Sequence, residues 1–159
     1  MIKLENPPEK NKKRKGYRQG YFVPKNPDKY VGNVDNIVYR SSWELAFCQF
    51  LDGNPNIMEW SSEEIAIPYV KPTTKRVHKY YPDFWIKYTD KQGQVKTDLV
   101  EVKPDKQTRQ PTTRGKRKKQ QTFETIQYAI NVAKWSAASA MCEQNNMKFR
   151  IVTEKQLFG

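Results

Sequence analysis

The sequence predicts an α/β domain in which a mixed central sheet is flanked by helices. The apolar patterns follow the order helix, three strands, helix, strand (αβββαβ) along the 159 residues. Short turn-forming stretches separate the three strands, which predicts that they pair antiparallel as a meander. A long amphipathic helix then joins the third strand to the last one. A connection of that length predicts a parallel crossover into the same sheet.

The first helix is predicted at 41–51, after a short strand or extended segment at 34–39. Ser41 and Glu44 match the S-x-x-E capping box at its start, and an Asp-Gly-Asn-Pro stretch ends it. An apolar stripe at helical spacing predicts that one face of this helix lies in the core. The members of the stripe are Trp43, Phe47, Phe50 and Leu51.

Three strand-like runs follow at 60–70, 77–88 and 96–103, with turns predicted at 71–75 and 90–93. The apolar centre of the first run is Ile-Ala-Ile. All three runs are rich in β-branched and aromatic residues, as strands usually are. They supply the antiparallel part of the predicted sheet.

The second helix is predicted from apolar residues that recur at threes and fours between 123 and 141. Asn145 and Asn146 end it, and a last strand follows at 148–153. The first half of its apolar stripe is also predicted to be core. The residues concerned are Phe123, Ile126 and Ile130.

Composition favours a polyanionic partner. Lysine and arginine number 29 against 17 acidic residues, which gives a net charge of +12, so nucleic acid is a better candidate than an anionic membrane surface. No apolar run reaches the roughly 20 residues of a membrane span, and no signal-peptide pattern follows Met1. Cys48 and Cys142 have neither disulfide nor metal-site spacing and are predicted to be packed, reduced thiols of a cytoplasmic protein.

The chain is predicted to consist of a basic arm at 1–30, flexible when free, and one folded domain at 31–159. A second basic segment, 104–119, carries seven cationic residues and one acidic residue. Both are predicted to contact DNA phosphates; the alternative is a solvated charged segment that contacts nothing. The predicted DNA-contacting residues are Lys12, Lys13, Arg14, Lys15, Arg40, Lys106, Arg109, Arg114, Lys116, Arg117, Lys118 and Lys119.

Two carboxylates and an amine lie inside apolar strand runs, where a charge is costly to bury. Asp83 follows Pro82 in the second run, and Glu101 and Lys103 end the third. Because they are two positions apart, Glu101 and Lys103 project to the same side of their strand. If the two strands pair, Asp83 lies beside them. Such a set can hold a hard divalent cation and activate water against a phosphodiester.

Each of these residues also has a simpler interpretation when it is taken singly. Asp83, Glu101 and Lys103 can each be an exposed strand residue, and Glu44 can be a helix cap alone. Four other polar residues are predicted to lie outside the site. Asp98 has the opposite parity in its strand and is predicted to be solvated. The others are predicted on a strand surface and on a solvated helix face: His78, Gln127 and Lys134.

The motifs carry a resemblance to a known superfamily. Tyr81-Pro82-Asp83, followed eighteen positions after the aspartate by Glu101-Val102-Lys103, resembles the PD-(D/E)xK motif of the restriction-endonuclease-like superfamily. The common core of that superfamily also has the order αβββαβ. The stretch from Arg40 to Glu44 looks like the helix-borne glutamate motif of its transposon-end and very-short-patch-repair relatives. Among its families, residues 31–155 most resemble the small head completion nucleases of large tailed bacteriophages.

The resemblance implies roles for individual residues. Asp83 and Glu101 would bind Mg²⁺ directly, aided by the backbone carbonyl of Val102, and Mn²⁺ is expected to substitute. Lys103 would position or deprotonate the attacking water and steady the charge on the phosphate. Glu44 would supply a further carboxylate, either as a metal ligand or through a water molecule.

The resemblance therefore implies a Mg²⁺-dependent DNA endonuclease that completes phage heads or processes DNA ends during virion assembly. No pattern resembles a base-reading helix, so low sequence specificity is expected. The implied partners are DNA and head or neck proteins, and the implied location is the host cytoplasm or the virion. Whether the chain forms a homodimer is left undecided. The alternatives are a non-catalytic DNA-binding structural protein of the virion and a transposase- or repair-type endonuclease that a partner targets. RNA is an alternative substrate.

Overall fold

The computed structural model describes residues 20–158. The strands are β1 (Gly20–Tyr21), β2 (Val38–Tyr39), β3 (Ile57–Ser62), β4 (Ile67–Val70), β5 (Val77–Tyr80), β6 (Phe84–Thr89), β7 (Val95–Val102) and β8 (Lys148–Val152). The helices are α1 (Ser42–Gly53), α2 (Lys118–Gln144) and α3 (Glu154–Phe158). Short 3₁₀ helices lie at Pro27–Lys29, Val34–Asn36 and Asp105–Thr108.

The central sheet has four strands in the order β3-β6-β7-β8. β6 is antiparallel to both β3 and β7, and β8 is parallel to β7. This topology confirms the predicted antiparallel meander and the parallel crossover through the long helix. The fold is the predicted mixed sheet flanked by helices. Two further pairs, β1–β2 and β4–β5, form separate two-stranded sheets.

The predicted strands at 60–70 and 77–88 are each broken in two, which corrects the sequence-based boundaries. The first break follows β3 at Glu63, whose backbone has the left-handed φ of 54° that few non-glycine residues adopt. The second comes at Pro82, which has no N–H to donate to a strand partner. The outer halves, β4 and β5, therefore pair with each other and leave the central sheet as a ribbon.

The two faces of the sheet pack against different elements. Trp60, Phe84 and Val100 lie on the face that α1 covers, whereas Leu99 lies on the face that α2 covers, near Ile130. Consecutive residues of β7 thus enter opposite cores, as the alternation of strand side chains requires. β7 is buried on both faces because α1 and α2 sandwich the sheet.

Two of the predicted core stripes extend too far. Phe50 is 51% exposed, Phe123 63% and Ile126 40%, so their assignment to the core is wrong. The buried residues of α2 are Ile130, Ala138 and Cys142, which means that its first three turns bury no residue. Helical periodicity identifies an apolar face, but it does not show which turns of the helix lie on the sheet.

Residues 20–30, which the sequence analysis placed in the arm, contact the folded domain. The backbone N–H groups of Lys25 and Asn26 donate to the Asp52 carboxylate at 2.8 and 3.0 Å. The ring of Tyr30 is buried against Trp60, with centroids 4.8 Å apart. The predicted DNA contacts of the arm itself, Lys12 to Lys15, lie outside the described residues.

Two further expectations concern the thiols and the membrane. Cys48 and Cys142 are buried and neither forms a disulfide, which confirms that they are packed thiols. Within residues 20–158, no helix has the length and apolar character needed to cross a bilayer.

The exposure of Phe123 gives a test of the fold. Phe84→Ala is expected to lower the free energy of unfolding by about 3–5 kcal/mol, because it leaves a cavity in the core under α1. The matched variant Phe123→Ala removes the same atoms from an exposed site and is expected to change it by less than about 0.5 kcal/mol. Urea denaturation measures both. Equal losses for the two variants would contradict this placement of α2.

Candidate active site

Asp83 lies where the β6–β7 ladder ends. The last pair of the ladder is Phe84 with Val100. Beyond it Pro82 has no N–H to donate, and the chain turns away into the ribbon. The Asp83 carboxylate instead accepts the backbone N–H of Val102 at 2.7 Å. The break in the strand thus fixes an aspartate against the end of β7.

Glu101 and Lys103 project from the same end of β7, on the face that α2 covers. Glu101 Oε2 accepts a hydrogen bond from the Tyr80 hydroxyl at 2.6 Å. The ammonium of Lys103 lies 3.6 Å from Glu101 Oε1. Glu101 is buried, so these two contacts supply much of the compensation that a buried carboxylate requires. The predicted strand pairing does bring Asp83, Glu101 and Lys103 together.

Glu44 reaches this site from the first turn of α1. Ser41 caps the helix, as predicted, by accepting the backbone N–H of Glu44 at 3.1 Å. The reciprocal bond goes one residue further than in a standard capping box, since Glu44 Oε2 accepts the N–H of Arg40 at 2.9 Å. The guanidinium of Arg40 pairs with Glu63 through two bonds of 3.1 and 3.3 Å. Arg40, predicted to contact DNA, is therefore held in an ion pair beside the carboxylates.

The carboxylates perturb one another electrostatically. Burial and the charges of Glu101 and Glu44 raise the pKa of Asp83 well above its ordinary value. Burial also raises the pKa of Glu101, although Lys103 and the Tyr80 hydroxyl oppose that shift. The pKa of Glu44 rises to about 7, chiefly through burial and with a contribution from the charge of Glu63. These shifts arise mainly from burial, with added repulsion from neighbouring carboxylates at Asp83 and Glu44, and such a cluster marks a candidate functional site.

Lys134 of α2 joins the site from above the sheet, and its prediction as part of a solvated helix face is wrong. Its ammonium lies 5.5 Å from the ring centroid of Tyr80 and 5.9 Å from that of Tyr69, within the range of cation–π attraction. Burial lowers the pKa of Lys134, and the charge of Glu101 opposes that effect. Only the chain's tertiary folding brings Lys134, Tyr80 and Glu63 to the site, so no local sequence signal identified them.

Asp98 is also placed differently from its prediction. It is buried on the opposite face of β7 rather than solvated. Arg150 Nε lies 2.7 Å from its carboxylate, and the Tyr88 hydroxyl donates to it at 3.0 Å. A cavity of about 740 Å³ adjoins this face, with Tyr88 and Arg150 in its lining. Neither the cavity nor Asp98 belongs to the site at Asp83 and Glu101.

The basic segment 104–119 begins beside the site and is anchored at both ends. Its first turn is fixed by the Asp105 N–H, which donates to Glu154 of α3 at 2.9 Å. At its far end Lys116 pairs with Glu124, and α2 begins at Lys118. The other predicted DNA-contacting cations of this segment are exposed. They are Lys106, Arg109, Arg114, Arg117, Lys118 and Lys119.

The donor set fits a hard divalent cation. Asp83 and Glu101 supply carboxylate oxygens next to each other; burial raises the pKa of both, and the charge of Glu101 raises that of Asp83 further, so a bound cation would favour their charged forms. Among the residues that the structure describes, no three His, Cys, Asp or Glu side chains form a ready-made metal cage. Two carboxylates with water completing the shell is the arrangement that Mg²⁺ commonly uses, whereas Ca²⁺ takes six to eight oxygen ligands.

Comparison with known proteins shows the family to which the chain belongs. The family described as "TnsA-like endonuclease N terminal" matches residues 54–154. The chain belongs to this endonuclease family. The matched region contains Asp83, Glu101 and Lys103, while Glu44 precedes it.

A curated relative covers nearly the whole chain. It is the protein named head completion nuclease of Enterobacteria phage T4, which is 39% identical over 144 residues. The match spans 87% of this chain and 92% of the relative. Together with the TnsA-like family, this relative confirms the resemblance that the sequence motifs indicated.

The raised pKa of Glu44 has a consequence for stability. A carboxyl group that titrates at about 7 when folded and near its ordinary value of 4.5 when unfolded binds its proton more tightly in the folded state. Stability therefore falls as the pH rises from about 4.5 to about 7. Glu44→Gln is expected to raise the free energy of unfolding of the metal-free protein at pH 8 by about 1–3 kcal/mol.

Urea denaturation at pH 8 and near pH 4.5 measures this effect. The gain is expected to shrink at the lower pH, where the Glu44 carboxyl is protonated in the folded state and about half protonated in the unfolded state. Glu143→Gln, an exposed site on α2, is the matched control and is expected to change stability by less than about 0.5 kcal/mol. A gain of equal size at both pH values would contradict the electrostatic explanation.

Proposed function

We propose that this chain is a Mg²⁺-dependent DNA endonuclease of low sequence specificity. The observation that carries the proposal is the pair of neighbouring carboxylates, Asp83 and Glu101, with Lys103 next to Glu101. Both carboxylates have pKa values raised chiefly by burial, and a bound cation would favour their charged forms. Membership of an endonuclease family supports the same reaction class.

Each side chain has a part in this proposal. Asp83 and Glu101 would hold the ion, with the Val102 carbonyl as a further oxygen ligand and Glu44 as an outer carboxylate. The bound ion would supply a water of lowered pKa and polarise the phosphate. The Lys103 ammonium, 3.6 Å from Glu101, would orient the water and neutralise charge on the phosphate oxygens. The Tyr80 hydroxyl fixes Glu101 through its 2.6 Å bond.

The biological setting is proposed from the relative. Its printed name describes a head completion nuclease of a phage, and we assign this chain a corresponding step in virion assembly. The partners would then be DNA and head or neck proteins, in the host cytoplasm or the virion. The net charge of +12 suits a DNA substrate. The exposed cations of the basic segment would contact phosphates that flank the cleaved bond.

The proposed activity is tested by nicking of supercoiled plasmid in Mg²⁺. Asp83→Asn and Glu101→Gln are each expected to lower the rate by at least about 100-fold, because each removes a ligand charge. The matched control is Asp98→Asn, which alters a buried carboxylate on the other face of β7 and is expected to retain nicking.

Three outcomes of this assay would contradict the proposal. Equal nicking by all variants would place the activity elsewhere or in a contaminant. DNA binding without cleavage of plasmid, linear or branched DNA in Mg²⁺ or Mn²⁺ would favour the non-catalytic structural role. Cleavage that requires a second protein would favour the targeted transposase- or repair-type enzyme.

Metal binding is tested independently of activity by thermal unfolding. Mg²⁺ at about tenfold to 100-fold its dissociation constant is expected to stabilise the protein by about 1–3 kcal/mol, which raises Tm by several degrees. The double variant Asp83→Asn/Glu101→Gln is expected to show no such rise. It should also be more stable than the wild type without metal, since it carries no buried repelling charges. A Mg²⁺-induced rise that survives in the double variant would contradict this metal site.

A further inference from the structure

The β4–β5 ribbon carries a concentration of positive charge that the active site does not use. Between 65 and 82 the chain has four cationic residues and no acidic residue. Two of the cations, Lys75 and Arg76, lie at the exposed tip. Within residues 20–158 neither of these two side chains forms an ion pair. Such a surface attracts polyanions because the ribbon itself carries no acidic residue.

The ribbon is held rigidly against the domain. Ile67, Tyr69 and Tyr80 on its inner face are buried in the core that α2 covers. At its tip the Lys71 N–H donates to the Arg76 carbonyl at 2.9 Å, and the Lys75 N–H donates to the Lys71 carbonyl at 2.9 Å. The tip cations are therefore presented by an ordered turn. Less entropy is lost when such groups bind a partner than when a flexible loop does.

The ribbon is also connected to the active site. Tyr80 ends β5 and donates to Glu101, and Asp83 follows three residues later. The Lys134 ammonium over the Tyr80 ring interacts with the charges of both Lys103 and Lys71. Lys134 therefore lies close enough to one lysine of the active site and one lysine of the ribbon for their charges to act on it. Neighbouring like charges repel, and a bound phosphate would relieve that repulsion.

We propose that the β4–β5 ribbon is a DNA-binding arm whose tip, with Lys75 and Arg76, contacts duplex phosphates on one side of the cleaved bond. This inference rests on the proposed endonuclease function and adds a substrate-binding surface to it. From Tyr80 to Arg76 is four residues, or roughly 13 Å of strand. Since phosphates of one strand rise about 3.4 Å per nucleotide, a ribbon that follows the duplex axis would place this contact about four nucleotides from the bond that is cut.

The test is DNA affinity, measured by fluorescence anisotropy on a duplex of about 30 base pairs in the Asp83→Asn background, which keeps the DNA intact. Lys75→Ser/Arg76→Ser is expected to weaken binding by about tenfold or more at 0.1 M salt. It should reduce the slope of log affinity against log salt by about 1.8, which is 0.9 for each lost phosphate contact. Circular dichroism would verify that the variants are folded.

Two matched variants isolate the ribbon. Lys91→Ser/Lys148→Ser removes the same charge at the opposite end of the sheet, where Lys148 begins β8 opposite Asp98 of β7 in the strand register. This variant is expected to bind DNA almost normally. Lys75→Arg/Arg76→Lys keeps the charge and is expected to bind like its parent.

The possible failures are distinguishable. If the Lys75→Ser/Arg76→Ser variant binds as well as the Lys91→Ser/Lys148→Ser control, while the wild type still nicks plasmid, the ribbon inference is wrong and the endonuclease stands. An equal loss in both double variants would mean a general charge effect and would also overturn the inference. If the wild type neither binds nor cleaves DNA, the proposed function fails first.

Discussion

Burial of several carboxylates at one end of the central sheet is the constraint on which the rest of the structure depends. Asp83, Glu101 and Glu44 are close enough for each charge to disfavour the others. The fold offsets part of that cost with partners from separate elements: the Val102 N–H on β7, the Tyr80 hydroxyl on β5, Lys103 after β7, and the Arg40 N–H before α1. These elements must pack together for the site to exist.

One backbone interruption provides both the site and the ribbon. At Pro82 the strand cannot continue its ladder, so the chain leaves the sheet and Asp83 takes over as acceptor for β7. The same interruption lets β5 pair with β4 outside the central sheet. In the opposing strand the break comes at Glu63, whose N–H donates to the Asp83 carbonyl at 3.1 Å. The left-handed backbone of Glu63 and its pairing with Arg40 thus belong to the same junction.

The sequence predicted the element order and the meeting of Asp83, Glu101 and Lys103, because strand alternation and short turns are local signals. It did not predict where the strands break, although Glu63 at the first junction and Pro82 and Asp83 at the second are residue types that strands disfavour. Phe123 and Ile126 were wrongly assigned to the core because periodicity does not show how far α2 extends past the sheet. Asp98 was wrongly taken as solvated because its partner, Arg150, comes from β8. Lys134 was wrongly placed on a solvated face for the same reason, because its contacts with Tyr69 and Tyr80 are distant in sequence.

In the proposed nuclease, the cations around the site and the carboxylates at its centre have different roles in binding DNA. Around the site, cations of the basic segment and the ribbon draw in DNA with little dependence on its sequence. At the centre, the carboxylates would repel a phosphate unless a cation neutralised them. In the proposed nuclease the scissile phosphate would therefore lie where an ion is bound, and the cations at the edges would hold the flanking phosphates. Arg40 lies at the boundary of the two regions, where it pairs with Glu63 and its charge offsets part of the rise in the pKa of Glu44.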